Sequence, residues 1–137
     1  MTGCTVKELC AAVGGTLLQQ SGAVVTQVST DSRSIPNRAL FVPLVGERFD
    51  GHDYLDAALE RGAAGCLTAK KPAALLKDKF YIQVSDTLEA LKALAAWYRA
   101  KFDIPMVQVT GSAGKTTTKE MIAAVLSQRF SDRKSVV

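Results

Sequence analysis

Apolar and polar positions fall in short, punctuated blocks, each with the period of a strand or of a helix. Thr5-Val6-Lys7-Glu8 has the form of a capping box ahead of apolar Leu9, Ala12 and Val13, predicting a short helix stopped by Gly14-Gly15. The run 23–28 is apolar and β-branched, the pattern of a strand, and leads into polar residues 29–33 and a turn at Ile35-Pro36-Asn37. Residues 39–45 are almost continuously apolar but contain Pro43, which predicts a short or edge strand. Residues 46–53 read as a loop, with Asp50 capping the Asp-Gly-His turn. Asp53 is placed to cap a helix over 54–61, closed by Gly62.

Residues 64–68 and 80–84 read as strands, and 70–79 are too polar to assign. Asp86-Thr87-Leu88-Glu89 opens a helix running to about Lys101, with Leu88, Leu91, Leu94, Ala95 and Tyr98 on one face. Asp103-Ile104-Pro105 breaks it. Residues 106–109 then predict a strand, 111–114 a glycine-bracketed turn, and Lys115 onward a helix with Met121, Ile122, Val125 and Leu126 on one face. Strands alternating with helices predict an α/β fold. The expected organisation is a small α/β domain over 1–102 and the first strand–loop–helix unit of a parallel-sheet domain over 103–131. Such a unit cannot bury a parallel-sheet core alone, so the native gene is expected to continue. Residues 132–137, Asp-Arg-Lys-Ser-Val-Val, match one reading frame of a widely used sequencing adapter and are expected to be a non-native tail.

Composition narrows the class. With 47% hydrophobic and 22% charged residues, the 137-residue chain is globular and long enough for a core. Its net charge of +4 is scattered, without the aromatic-and-basic stripe of a nucleic-acid binder, so nucleic acid is not an expected partner. Cys4, Cys10 and Cys66 have no paired metal spacing and read as free thiols in a reducing cytosol. Neither a signal peptide nor a membrane span is present in the pattern, so a cytoplasmic protein without membrane insertion is expected.

The chemistry concentrates at the turn 111–114. Gly111-Ser112-Ala113-Gly114 lets successive N–H groups point inward, and the following helix start adds partial positive charge, which together capture an anion. Lys115 would reach the terminal phosphates of a nucleotide, and the Thr116 hydroxyl would ligate Mg²⁺. The loop is shorter than the standard phosphate loop, which would need glycine where Val109 stands. The competing reading is a glycine turn that merely begins a solvated helix. Three consecutive threonines, Thr116 to Thr118, are poor helix formers and argue against that reading.

Taken in order, the motifs Thr30-Asp31-Ser32-Arg33, Leu40-Phe41-Val42, Gly46-Glu47-Arg48-Phe49-Asp50-Gly51-His52 and Thr110 to Glu120 resemble the Mur ligases. These are the ATP-dependent enzymes that add amino acids to the peptidoglycan precursor, and the resemblance covers residues 5–130. Ser112 and the extension Thr118-Lys119-Glu120-Met121 are similar to the branch that joins D-alanyl-D-alanine to UDP-N-acetylmuramoyl-tripeptide. The preceding ligase, which adds the third amino acid, shares the Asp-Ser-Arg and Asp-Gly-His elements. The folate polyglutamate type shares only the phosphate loop and ranks last.

The resemblance implies a three-domain enzyme in which ATP phosphorylates the tripeptide carboxylate and the dipeptide amine attacks the acyl phosphate. It implies Lys115 at the γ-phosphate, Thr116 at Mg²⁺, and Gly111, Ser112, Ala113, Gly114 and Thr117 around the phosphates. It also implies a UDP-sugar site drawing on Thr30, Asp31, Ser32 and Arg33, with Arg48 and Phe49 either flanking uracil or simply holding their loop in place. Two departures stand out: Ala113 replaces the family's usual Asn, and Asn37-Arg38-Ala39 replaces a common Gly-Asp turn. Without the family, the Asp-Ser-Arg cluster reads as a polar turn in which Arg33 pairs with Asp31 or Asp50. His52 reads as structural rather than as a base. The chain by itself is not expected to be active, and the alternative to an enzyme fragment is a non-catalytic UDP-sugar or nucleotide-binding module.

Overall fold

The computed structural model describes residues 2–130, and the tail at 132–137 lies outside the described residues. The chain divides between Phe102 and Asp103 into two compact units.

In the first unit, β1 (Cys4–Thr5) runs into α1 (Val6–Val13). The capping box forms: the Thr5 hydroxyl accepts from the Glu8 N–H, and the Glu8 carboxylate accepts from the Thr5 N–H at 2.8 Å. Gly14 ends the helix in the left-handed conformation, φ 61°, donating to the Ala11 carbonyl. β2 (Thr16–Gln19) follows, a strand the hydrophobic pattern does not mark because only Leu17 and Leu18 in it are apolar. The single strand expected over 23–28 is two strands. β3 (Val24–Val25) pairs antiparallel with β1, whereas β4 (Gln27–Ser29) enters the main sheet. The break falls at Thr26, whose N–H turns to the Arg38 carbonyl at 3.3 Å.

β5 (Ala39–Phe41) is wholly buried and central, not an edge strand. It stops before Pro43, so the missing proline N–H costs the ladder nothing. A 3₁₀ turn (Gly51–Tyr54) precedes α2 (Leu55–Glu60). Asp50 caps that turn through the His52 N–H at 2.9 Å; α2 starts without a side-chain cap, so the expected capping role of Asp53 is not realised. Then come β6 (Gly65–Thr68), β7 (Phe80–Gln83) and α3 (Thr87–Ala100), the last capped by Asp86 through the Glu89 N–H at 2.9 Å.

The main sheet has the order β2-β7-β6-β5-β4, with β4 to β7 mutually parallel and β2 antiparallel at one edge. Alternate residues on the central strands face opposite layers. Leu40, Leu67, Phe80 and Ile82 join Val6, Leu9 and Leu94 on the α1/α3 side, while Phe41, Cys66 and Tyr81 join Leu55, Ala58 and Leu59 on the α2 side. Burial of each large side chain is worth about 1.5–3 kcal/mol, so these layers fix the strand register. On α3 the buried stripe is Thr87, Ala90 and Leu94, flanked by Leu91, Trp97 and Tyr98; Leu88 and Ala95 face outward, contrary to expectation. The expected set mixed two faces, whereas spacings of three and four counted from Thr87 recover the true one.

In the second unit, residues 106–109 form no ladder among the described residues, which differs from the expected strand. A strand of a parallel sheet needs neighbours, and the described part of this unit contains none. The glycine turn and α4 (Lys115–Leu126) do form. Its more protected stripe is Lys119, Ile122, Ala123 and Leu126, while Met121 and Val125 are 66% and 70% exposed. Among the described residues no helix is long and apolar enough to cross a membrane.

Candidate functional site

Four parallel strands deliver four segments to one edge of the sheet. The C-terminal ends of β4, β5, β6 and β7 lead respectively into residues 30–33, the loop 42–50, residues 69–71 and the start of α3. Ligands of open α/β sheets bind outside this carboxyl edge. Two of the sequence-predicted groups, Thr30 to Arg33 and Arg48-Phe49, therefore share an edge on neighbouring strands, although no hydrogen bond joins the two loops among the described residues.

Local polar bonds shape the first group. The Ser29 hydroxyl accepts from the Asp31 N–H at 3.2 Å, and Asp31 Oδ1 accepts from the Arg33 N–H at 2.9 Å, two consecutive side-chain turns. Arg33 then folds back on Asp31 with both prongs of its guanidinium, Nε to Oδ1 and Nη2 to Oδ2, each at 2.9 Å. Hydrogen bonds from the Arg33 side chain, then its N–H, hold the Asp31 carboxyl down at about 2, and the pairing raises Arg33 in return. The bidentate fork expected to meet pyrophosphate is thus engaged by Asp31, not Asp50, in this conformation. Its side chain is 85% exposed, so a ligand anion can compete for it.

The second group rides on a tight loop. The Gly46 N–H donates to the Phe49 carbonyl at 2.9 Å, and the Gly51 N–H to the Leu44 carbonyl at 2.8 Å. The Phe49 ring lies so close over Gly46 that a Cβ there would collide with it, and the ring is otherwise largely exposed. Below the loop, Asp50 binds the Lys70 ammonium and both the N–H and the ring of His52. Lys70 first, then His52, keeps the Asp50 carboxyl well below the usual carboxylate range.

The third group, in the second unit, is the turn into α4. Gly111 and Gly114 have φ of +155° and +75°. Gly114 is the N-cap, in the left-handed region that an L side chain rarely adopts. Among the described residues, the N–H groups of Ser112 to Thr117 have no backbone acceptor, and Lys115 has no carboxylate partner. Unsatisfied N–H groups at a helix start, with a free ammonium alongside, suit a polyphosphate.

The family description "Mur ligase family, catalytic domain" matches residues 24–125. The chain belongs to the Mur ligase family. A UDP-N-acetylmuramoyl-tripeptide–D-alanyl-D-alanine ligase of Bacillus subtilis is 41% identical over 133 residues, covering 96% of this chain and 29% of that protein. A crystal structure of MurF from Acinetobacter baumannii superposes with a TM-score of 0.84 at 30% identity, covering 94% of this chain and 28% of the other. The MurF ligase of Thermotoga maritima, solved in complex with ADP, matches 77% of this chain and 24% of its own with a TM-score of 0.65 at 32% identity. This Mur ligase chain thus spans under a third of the length of the relatives it matches.

Three contributors to the sheet-edge site are absent from the motif reading of this Mur ligase chain: Arg61, Ala69 and Lys70. The Arg61 guanidinium donates to the Ser32 carbonyl at 2.8 Å, the Ala69 N–H to His52 Nε2 at 3.0 Å, and Lys70 to Asp50. Each reaches its partner across 17 to 29 residues of chain, so no local pattern could announce it.

Proposed function

We propose that this chain is the N-terminal part of an ATP-dependent amide ligase. The enzyme would join D-alanyl-D-alanine to UDP-N-acetylmuramoyl-tripeptide in the cytoplasmic synthesis of the peptidoglycan precursor, and so serve cell-wall growth, shape and division. The observation that carries the reading is the turn into α4, where, among the described residues, the N–H groups of Ser112 to Thr117 have no backbone acceptor and Lys115 has no carboxylate partner. The naming of the relatives supports the choice of substrates, and the ADP in one of them supports the nucleotide.

In this reading Gly111, Ser112, Ala113, Gly114 and Thr117 hold the phosphates through backbone N–H groups, Lys115 neutralises the transferred phosphoryl group, and the Thr116 hydroxyl holds Mg²⁺. ATP supplies an activated phosphoryl group that turns the tripeptide carboxylate oxygen into a good leaving group. Thr30, Asp31, Ser32 and Arg33 hold the UDP part, with Arg33 exchanging Asp31 for pyrophosphate, and Phe49 and Arg48 flank the uracil. With Ala113 in place of the usual Asn, that position contributes only its N–H.

The test is calorimetric titration of the chain with UDP-N-acetylmuramoyl-tripeptide and, separately, with Mg-ATP. Arg33→Ala should weaken only the first and Lys115→Ala only the second. Binding insensitive to both substitutions, or none of either ligand, overturns the reading. Tighter binding of the UDP-muramoyl-dipeptide would transfer the chain to the ligase of the preceding step.

A further inference from the structure

His52 is the only histidine in the chain, and its side chain is 6% exposed. Its two ring nitrogens have different partners. Nδ1 lies 2.6 Å from Asp50 Oδ1, and Nε2 lies 3.0 Å from the Ala69 nitrogen. A backbone N–H can only donate, so Nε2 is the unprotonated, accepting nitrogen. The single ring proton is then on Nδ1, donated to the Asp50 carboxylate. The two partners define both the tautomer and the charge state.

The ring also joins two segments of the carboxyl edge. Among the described residues, and apart from the helical bonds of α2, the hydrogen bonds that leave the loop 44–53 run to Ala69 and Lys70. That receiving segment is itself fixed, since the Thr68 hydroxyl accepts from the Lys70 N–H at 3.2 Å and donates to the Lys70 carbonyl at 2.5 Å. The loop so anchored presents Arg48 and Phe49.

We infer that His52 is a proton-sensitive latch: with Nε2 bare it fastens the Arg48–Phe49 loop to the end of β6, and a proton on Nε2 unfastens it. A consequence, which rests on the UDP-sugar reading of this edge, is that uridine-nucleotide binding weakens as the imidazole becomes doubly protonated. The physical reason is that Nε2–H would face the Ala69 N–H, donor against donor, leaving both half-buried groups without an acceptor. The charged surroundings are mixed: Asp50 lies on the loop, Lys70 on the opposing segment, and Asp53, Asp56 and Lys71 line the same shallow cavity. Among the described residues no carboxylate is hydrogen-bonded to Nε2, so none replaces the lost acceptor.

Because there is one histidine, long-range nitrogen–proton correlation spectra of the ¹⁵N-labelled chain report His52 without ambiguity. The expected result is the Nδ1–H tautomer at pH 8, with the Ala69 amide protected from exchange. That protection should fall by about tenfold, beyond the intrinsic pH effect, as the ring titrates. Affinity for UDP-N-acetylmuramoyl-tripeptide should fall over the same pH range. His52→Gln, whose amide oxygen can accept from Ala69 and does not titrate, should flatten both profiles, while His52→Asn, too short to reach Ala69, should resemble the acid form at every pH. An Nε2–H tautomer, or Ala69 protection unchanged through the titration, overturns the latch. A working latch with pH-independent ligand affinity removes its link to binding. A working latch in a chain that binds no uridine nucleotide at any pH leaves the latch standing and sinks the functional reading instead.

Discussion

Arg61, the residue closing α2, donates from its guanidinium to the carbonyl oxygen of Ser32 at 2.8 Å. The Asp31–Arg33 turn is therefore shaped by its own side chains and also tethered from the end of the helix that packs on β5 and β6. Removing the tether should leave the fold intact, because both groups are near the surface, yet loosen the turn that the proposed UDP site uses. Arg61→Ala is expected to weaken binding of the UDP-sugar by about fivefold, the equivalent of about 1 kcal/mol, with little change in Tm. Arg61→Lys, a single donor on a flexible stem, should recover only part of it. Calorimetry beside thermal denaturation checks both halves; a large fall in Tm without loss of affinity would mean the contact serves stability alone.

The Asp31–Arg33 pair gives a second expectation, with a definite sign. Asp31 titrates near 2 in the folded chain, because Arg33 donates to it, against about 3.9 in an unfolded one. A depressed carboxyl contributes stability that is complete above the unfolded value and is lost as pH falls from about 4 through 2. Arg33→Ala should return the Asp31 titration toward the ordinary range, as read by carboxyl carbon NMR. Adding UDP-N-acetylmuramoyl-tripeptide should move it up part of the way, since Arg33 leaves for the pyrophosphate while its N–H stays on Oδ1 at 2.9 Å. No movement on saturation would show that Arg33 keeps its partner and does not meet the ligand.

What the residues announced and what they concealed divide along a physical line. The Thr5 capping box, the Gly14 stop, the Asp50 and Asp86 caps and the glycine turn into α4 are short-range devices, set by a few adjacent residues, and all were legible. The split at Thr26 was not, because it depends on the Arg38 carbonyl, a partner from the next turn. Of the two readings offered for 39–45, a short strand or an edge strand, the first holds: β5 is three residues long and interior, and it ends at Phe41, before Pro43. Residues 106–109 have the composition of a buried strand, but composition records a preference and not the presence of a partner. At the carboxyl edge, the Asp-Ser-Arg and Asp-Gly-His segments could be read, whereas Arg61, Ala69 and Lys70 become visible only when parallel pairing brings the strand ends together.

Thr87 supplies a test of the core. It is one of the few buried polar side chains, and its hydroxyl donates to the Pro43 carbonyl at 2.5 Å, tying the start of α3 to the end of the β5 run. Thr87→Val keeps the shape but strands that carbonyl, so a loss of about 1–2 kcal/mol is expected in urea unfolding. Thr87→Ser keeps the donor and forfeits one methyl contact, a smaller loss of about 1 kcal/mol or less. If Val is as stable as Thr, the carbonyl finds another donor and the tie is dispensable.

The turn before β5 carries a strain that substitution can release. Arg38 has φ 61°, in the left-handed region, at the departure from the common Gly-Asp turn. The conformation is enforced on both sides: the Arg38 carbonyl receives the Thr26 N–H, and the Ala39 N–H closes on the Pro36 carbonyl at 3.2 Å. A side chain in this region costs about 1–2 kcal/mol, while glycine there forfeits about 0.4–1 kcal/mol through the freedom it adds to the unfolded chain. The difference favours glycine, so Arg38→Gly should raise stability by about 0.5–1 kcal/mol in thermal unfolding. Arg38→Val, β-branched and stiffer, should lower it. Since Arg38 is exposed and, among the described residues, hydrogen-bonds only through its backbone, neither change should alter binding at the Asp31–Arg33 turn beyond the effect of stability. A destabilised glycine variant would show that the arginine side chain stabilises the turn by more than its backbone strain costs.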